Sequence, residues 1–229
     1  LNLTLSPWGL VARGGFHSEG TPQGPQTHIL IGNVGAAIWG PFAAETIDAP
    51  DPLDHWTQQV IDPIAEQFNA KALHAFEGPP YHPFQRWAMK AEGVFRSPIG
   101  LLIHAGFGLW HAYRVALVFD KKIDLPIQDS AKSPCEACVE KPCLSACPVA
   151  AFSSGEYDVP VCVGHLETPE GASCLNESCA ARRACPIGGQ HCYTTEQSKH
   201  HMTAFLNAQT RLIQAENSGR CGALLEVIA

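Results

Sequence analysis

Over the first 120 residues, apolar positions fall into two kinds of block. Residues 28–34, His-Ile-Leu-Ile-Gly-Asn-Val, form a continuous apolar run closed by glycine and asparagine, which marks a buried strand. Residues 71–76, 99–104 and 110–119 read the same way, the last two flanking a turn at Gly106-Phe107-Gly108. Between these runs, Trp56, Val60, Ile61, Ile64, Ala65 and Phe68 recur at helical spacing and predict a helix opening at Pro52. Asp51 can cap that helix, Pro52 suits its first turn, and Pro63 should kink or restart it. Glu77-Gly78-Pro79-Pro80 reads as a turn, and residues 84–92 as a shorter helix.

After residue 120 the pattern changes. Residues 121–134 are polar and contain proline, as a linker would. Residues 135–192 lose hydrophobic periodicity and are rich in glycine, proline and alanine. Residues 195–216 return to helical spacing, with Met202, Phe205, Leu206, Leu212 and Ile213 as the apolar positions.

The middle segment carries the cysteines. The 229-residue chain has 10, none before Cys135, nine from Cys135 to Cys192, and the last at Cys221. The first run is Cys135-x2-Cys138-x4-Cys143-x3-Cys147-Pro148. The second is Cys162, then Cys174-x4-Cys179-x5-Cys185-Pro186. Each run ends in Cys-Pro, as in bacterial ferredoxins, where the fourth cysteine of a run ligates the other cluster. On that pattern Cys135, Cys138, Cys143 and Cys185 hold one 4Fe–4S cluster, and Cys147, Cys162, Cys174 and Cys179 hold a second. Two zinc sites and a disulfide framework are the alternatives. Zinc has no use for exchanged ligands, and a long cysteine-free segment is unlike a stapled secreted domain. Cys192 and Cys221 are left over. His200-His201 is a further metal candidate of low specificity.

Charge narrows the partners. The chain is 16% charged with a formal net charge of −7, and its 15 basic residues are scattered. That argues against nucleic acid and against anionic membranes. The apolar stretch at residues 99–119 is interrupted by His104, His111 and Arg114, too polar for a membrane span. Residues 1–11 have no basic stretch followed by an apolar one, and we expect a cytoplasmic chain with reduced cysteines. Neither a full Gly-x-Gly-x-x-Gly element nor a phosphate loop is present.

The segment Ser97-Pro-Ile-Gly-Leu-Leu-Ile-His104-Ala-Gly-Phe-Gly-Leu-Trp110-His-Ala-Tyr-Arg114 resembles the cobalamin-processing family of methylmalonic aciduria type C. The likeness extends over about residues 25–126. The cysteine half resembles epoxyqueuosine reductase, in which an isolated cysteine like Cys162 also precedes the closing Cys-Pro. The combined order is that of the cobalamin-dependent reductases, which include reductive dehalogenases. The resemblance implies an α+β chain in three parts. These are a nitroreductase-like α/β domain at residues 1–130, a bacterial-ferredoxin-like domain with two 4Fe–4S clusters at 131–193, and a C-terminal helix within 194–229. It implies cobalamin as a cofactor, with His104, Gly106, Trp110 and Arg114 as corrinoid contacts. It also implies a proton donor, for which Glu77, Tyr81 and His104 are the catalytic candidates, with His82 beside them. Gly106 stands where the family has an arginine, a departure that argues against glutathione-linked dealkylation. The resemblance does not extend to the helical repeats with which epoxyqueuosine reductase handles tRNA, and we expect no tRNA substrate.

The expected function is electron transfer from a reduced ferredoxin or flavodoxin-type donor, through two clusters, to a corrinoid. Cobalamin reduction or upper-ligand removal would follow. The alternatives are a ferredoxin-like carrier that binds no corrinoid, and reductive dehalogenation or deoxygenation of a small molecule.

Overall fold

A computed structural model describes residues 1–21, 24–45, 47–126, 132–152 and 155–217. Cys221 and part of the expected linker lie outside the described residues. The N-terminal half begins with α1 (Asn2–Leu5), β1 (Val11–Thr21), β2 (Gly24–Val34), α2 (Trp39–Ala43), α3 (Pro52–Gln67) and β3 (Lys71–His74). It continues with α4 (Phe84–Ala91), β4 (Val94–Arg96), β5 (Leu102–His104) and β6 (His111–Phe119). β1, β2, β6 and β3 form an antiparallel sheet in that order, and β4 and β5 a separate hairpin.

Alternating side chains give the sheet two buried faces. Ile31, Val115, Leu117 and Phe119 meet Trp56, Val60, Ile61 and Ile64 of α3, with Leu5, Leu10 and Phe42 closing the cluster. Leu30 and Ala116 point the other way, onto Ala88 and Ala91 of α4. The chain is therefore a mixed α+β fold whose sheet carries a helix on each face.

One strand was not anticipated, and two local expectations are corrected. β1 carries no apolar run, yet it pairs with β2 from Val11 opposite Gly32 to Thr21 opposite Gly24. Gly14 admits α4 beside it: at φ +124, a Cβ there would stand 2.2 Å from the Ala91 carbonyl oxygen. Pro63 does not interrupt α3, because it lies on the exposed side, where water can satisfy the freed carbonyl. Asp51 precedes α3, but its side chain makes no cap hydrogen bond.

The cysteine-bearing half is built from short helices: α5 (Pro134–Ala137), α6 (Pro142–Ser145), α7 (Val159–Leu166), α8 (Ala172–Glu177) and α9 (Ala180–Arg183). The long α10 (Thr195–Asn217) packs along α7 and α8. Among the described residues, no helix is long and apolar enough to cross a membrane.

The composition boundary near residue 130 is not a boundary of the core. Ile99, Ile103 and Leu109 of the N-terminal half share one buried cluster with Cys143, Phe152 and Ala181. α10 also reaches back, setting His200 against Trp39 and Phe42.

Candidate metal centres

Proline at the first or second position starts α5, α6 and α7, fixing backbone where the chain has few apolar side chains to hold it. These short helices bring the cysteines into two sets. Cys135, Cys138 and Cys143 line one cavity together with Cys185, which arrives from the second run. Ile103, Leu109 and Ile187 supply its apolar wall. Cys147, Cys162, Cys174 and Cys179 line another cavity. The division matches the exchanged pattern and not the order of the runs.

Burial pushes the Cys135 and Cys143 thiols up, and the neighbouring thiols, Cys185 foremost, push them further. Burial also raises Cys162 and Cys179. The Ala151 N–H donates to Cys147 Sγ at 3.3 Å. Each set therefore packs thiols whose ionised forms repel one another in a poorly hydrated site, an arrangement a bound cationic centre would relieve.

Among the described residues, no three His, Cys, Asp or Glu side chains converge closely enough to hold a single metal ion. Tetrahedral zinc at about 2.3 Å from each sulfur would draw the sulfurs to about 3.8 Å apart. The nine described cysteines are all free thiols. Each set offers four thiols, the donor number of a tetrahedral zinc ion or of a 4Fe–4S cluster.

The other expected residues do not share one surface. His104 Nδ1 accepts from the N–H groups of Gly106 at 3.0 Å and Phe107 at 3.2 Å, and its ring stacks on Phe107. Burial holds its pKa below the usual histidine value, with Arg13 next in effect. Gly106 is exposed on that turn. Trp110 is 1% exposed and covered by Arg182 and Tyr193, which leaves no face for a ligand. Arg114 Nη1 lies 3.9 Å from Asp54, in a groove between α10 and the start of α3. Glu77 accepts from the His74 N–H at 3.1 Å and stands 3.6 Å from His82. Tyr81 is exposed in the same loop. Neither Glu77 nor Tyr81 lines a cysteine cavity. The residues present thus do not fit a corrinoid held jointly by His104, Gly106, Trp110 and Arg114.

Two arginines escape sequence reading. Arg13, 4% exposed, pairs with Glu92 at 2.8 Å, donates to the Asn33 carbonyl at 3.2 Å, and lies over the rings of Phe107 and Tyr113. The Tyr113 hydroxyl closes the network on Glu92. Arg182, between Cys179 and Cys185, donates twice to the Leu109 carbonyl, at 3.1 and 2.5 Å. Its guanidinium lies between Trp110 and Tyr193. Nothing in the composition near either arginine marks it as buried.

No family model matches the chain, and no curated protein does. Among solved structures, the chain is similar to epoxyqueuosine reductase in complex with a tRNA-Tyr epoxyqueuosine-modified stem loop. The identity is 12% and the TM-score 0.45, over 84% of this chain. The chain spans 64% of the length of that solved chain.

Proposed function

We propose that this chain is an iron–sulfur electron-transfer protein with two 4Fe–4S clusters. Cys135, Cys138, Cys143 and Cys185 would hold one, and Cys147, Cys162, Cys174 and Cys179 the other. The observation that carries the reading is the gathering of eight cysteines into two sets of four, with Cys185 crossing from the second run to the first set. Bound there, the clusters would accept and release single electrons. Ile103, Leu109 and Ile187 would keep water from the first set, and the Ala151 N–H would stabilise charge on Cys147. The donor would be a reduced ferredoxin or flavodoxin-type protein, in a reducing cytoplasm.

Cobalamin reduction, the activity the sequence resemblance implies, is a second reading. It is favoured by the position of His104, which follows Ile103 on the strand that walls the first set. Such a site would involve His104 and Gly106 without Trp110 or Arg114. Binding of cob(II)alamin to the cluster-loaded chain, followed by visible spectra, tests it: a shift lost in His104→Ala supports this reading, and no shift removes it.

The cluster reading is tested by anaerobic reconstitution of Cys185→Ala. The expected product keeps one cluster and loses the other. Retention of both, with Cys147→Ala removing a cluster from the first run instead, would overturn the crossed assignment.

A further inference from the structure

The two cysteine cavities differ greatly in size. The cavity beside the first set holds about 20 Å³, and the one beside the second, open to solvent at its mouth, about 760 Å³. Both sets offer four thiolates, so a cluster of the same size suits each. The surplus at the second is space for something else.

The lining of that surplus has a definite chemistry. Phe152, Tyr157 and Phe205 form an aromatic row, with ring centroids 4.7 and 6.3 Å apart in turn. Tyr157 and Phe205 line the cavity with Met202, and Leu101, 42% exposed, stands on the hairpin side. Exposed Arg96 adds a cation that makes no ion pair among the described residues. Glu156 is the only acid among the described lining residues, against Arg96 and Arg182, and Arg182 is engaged with Leu109. His165 and His201 also line the cavity, each with its Nε2 turned away from solvent.

We infer that this cavity is a binding site for a flat, largely apolar small molecule carrying one anionic group. The apolar body lies against Tyr157, Phe205 and Leu101, and the anion faces Arg96. The inference rests on the two-cluster reading, because a cluster must fill the cysteine end of the cavity.

The test is calorimetric titration of the cluster-loaded chain with naphthoate, beside the neutral naphthalenemethanol of the same shape. One naphthoate should bind per chain. Arg96→Gln should weaken it about tenfold, as should replacing the acid by the alcohol, since a charge-assisted contact is lost in either case. Leu101→Trp, which fills space at an exposed position, should abolish binding while iron and sulfide contents stay unchanged. Clusters present without naphthoate binding, or binding indifferent to both substitutions, would overturn this inference and leave the cluster reading intact. A chain that takes up no iron and sulfide would overturn both.

Discussion

Arg13 lies between Glu92, the Asn33 carbonyl and the rings of Phe107 and Tyr113, so its charge is compensated on every described side. Removing one partner of a buried pair leaves the other charge stranded. Arg13→Met is therefore expected to lower unfolding free energy by about 3–5 kcal/mol in urea denaturation. His111, in contact with the same guanidinium, is held down to about 3, chiefly by burial and then by Arg13. The unfolded chain takes up this proton near pH 6.5 while the folded one refuses it. Stability from His111 is thus complete above about pH 6.5 and is lost as pH falls towards about 3, at up to about 1.4 kcal/mol per pH unit. Urea midpoints over that window should fall less steeply in His111→Asn than in the parent chain. The cysteines were legible at this scale because ligand spacing is a local property. Arg13 was not, since it stands in a polar, glycine-rich segment and meets its partners only through the sheet. Arg114, inside an apolar strand, needs an anionic partner, and Asp54 at 3.9 Å supplies one.

At the level of elements, the two halves are joined by a seam of glycines. A Cβ on Gly108, at φ +58, would stand 1.8 Å from the Ile187 carbonyl oxygen, and one on Gly188 would stand 2.3 Å from the Phe107 carbonyl carbon. The turn after β5 and the segment after Cys185 are thus in backbone contact, and Arg182 bolts the same seam through Leu109. Gly108→Ala should shift Cys185 away from its set, and reconstituted iron should fall towards half of the parent value, with the first cluster lost in preference. Arg182→Met keeps the apolar stem but loses two charge-assisted hydrogen bonds and the ring contacts, and should cost about 2–4 kcal/mol in denaturant unfolding. β2, β3, β6, α3 and α4 were readable because each buries a continuous or periodic apolar face. β1 was not, because backbone pairing with β2 holds it and its side chains contribute little apolar pattern. Pro63 misled for a related reason: a proline on the exposed side of a helix leaves the helix's buried stripe unchanged.

Taken whole, the molecule places its composition boundary and its packing boundary in different places. The change near residue 130 reflects where thiols take over from apolar side chains, yet Ile99, Ile103 and Leu109 pack directly on the cysteine half. α10, expected as a separate C-terminal piece, lies along α7 and α8 and touches Trp39 and Phe42. Long-range packing of this kind has no local signature, so the crossed cysteine sets could be inferred from spacing while the shared core could not. The same distinction explains the corrinoid contacts. A sequence segment placed His104, Gly106, Trp110 and Arg114 near one another in the chain, but Trp110 is buried beneath Arg182 and Arg114 lies beside Asp54, so the four do not present one binding face. The central claim is two polynuclear clusters with crossed ligands, and an iron and acid-labile sulfide count on the anaerobically reconstituted chain tests it most directly. The account predicts about eight iron and eight sulfide per chain, falling to about four of each in Cys185→Ala. One or two zinc ions without sulfide, or a parent chain that binds no iron, would contradict it.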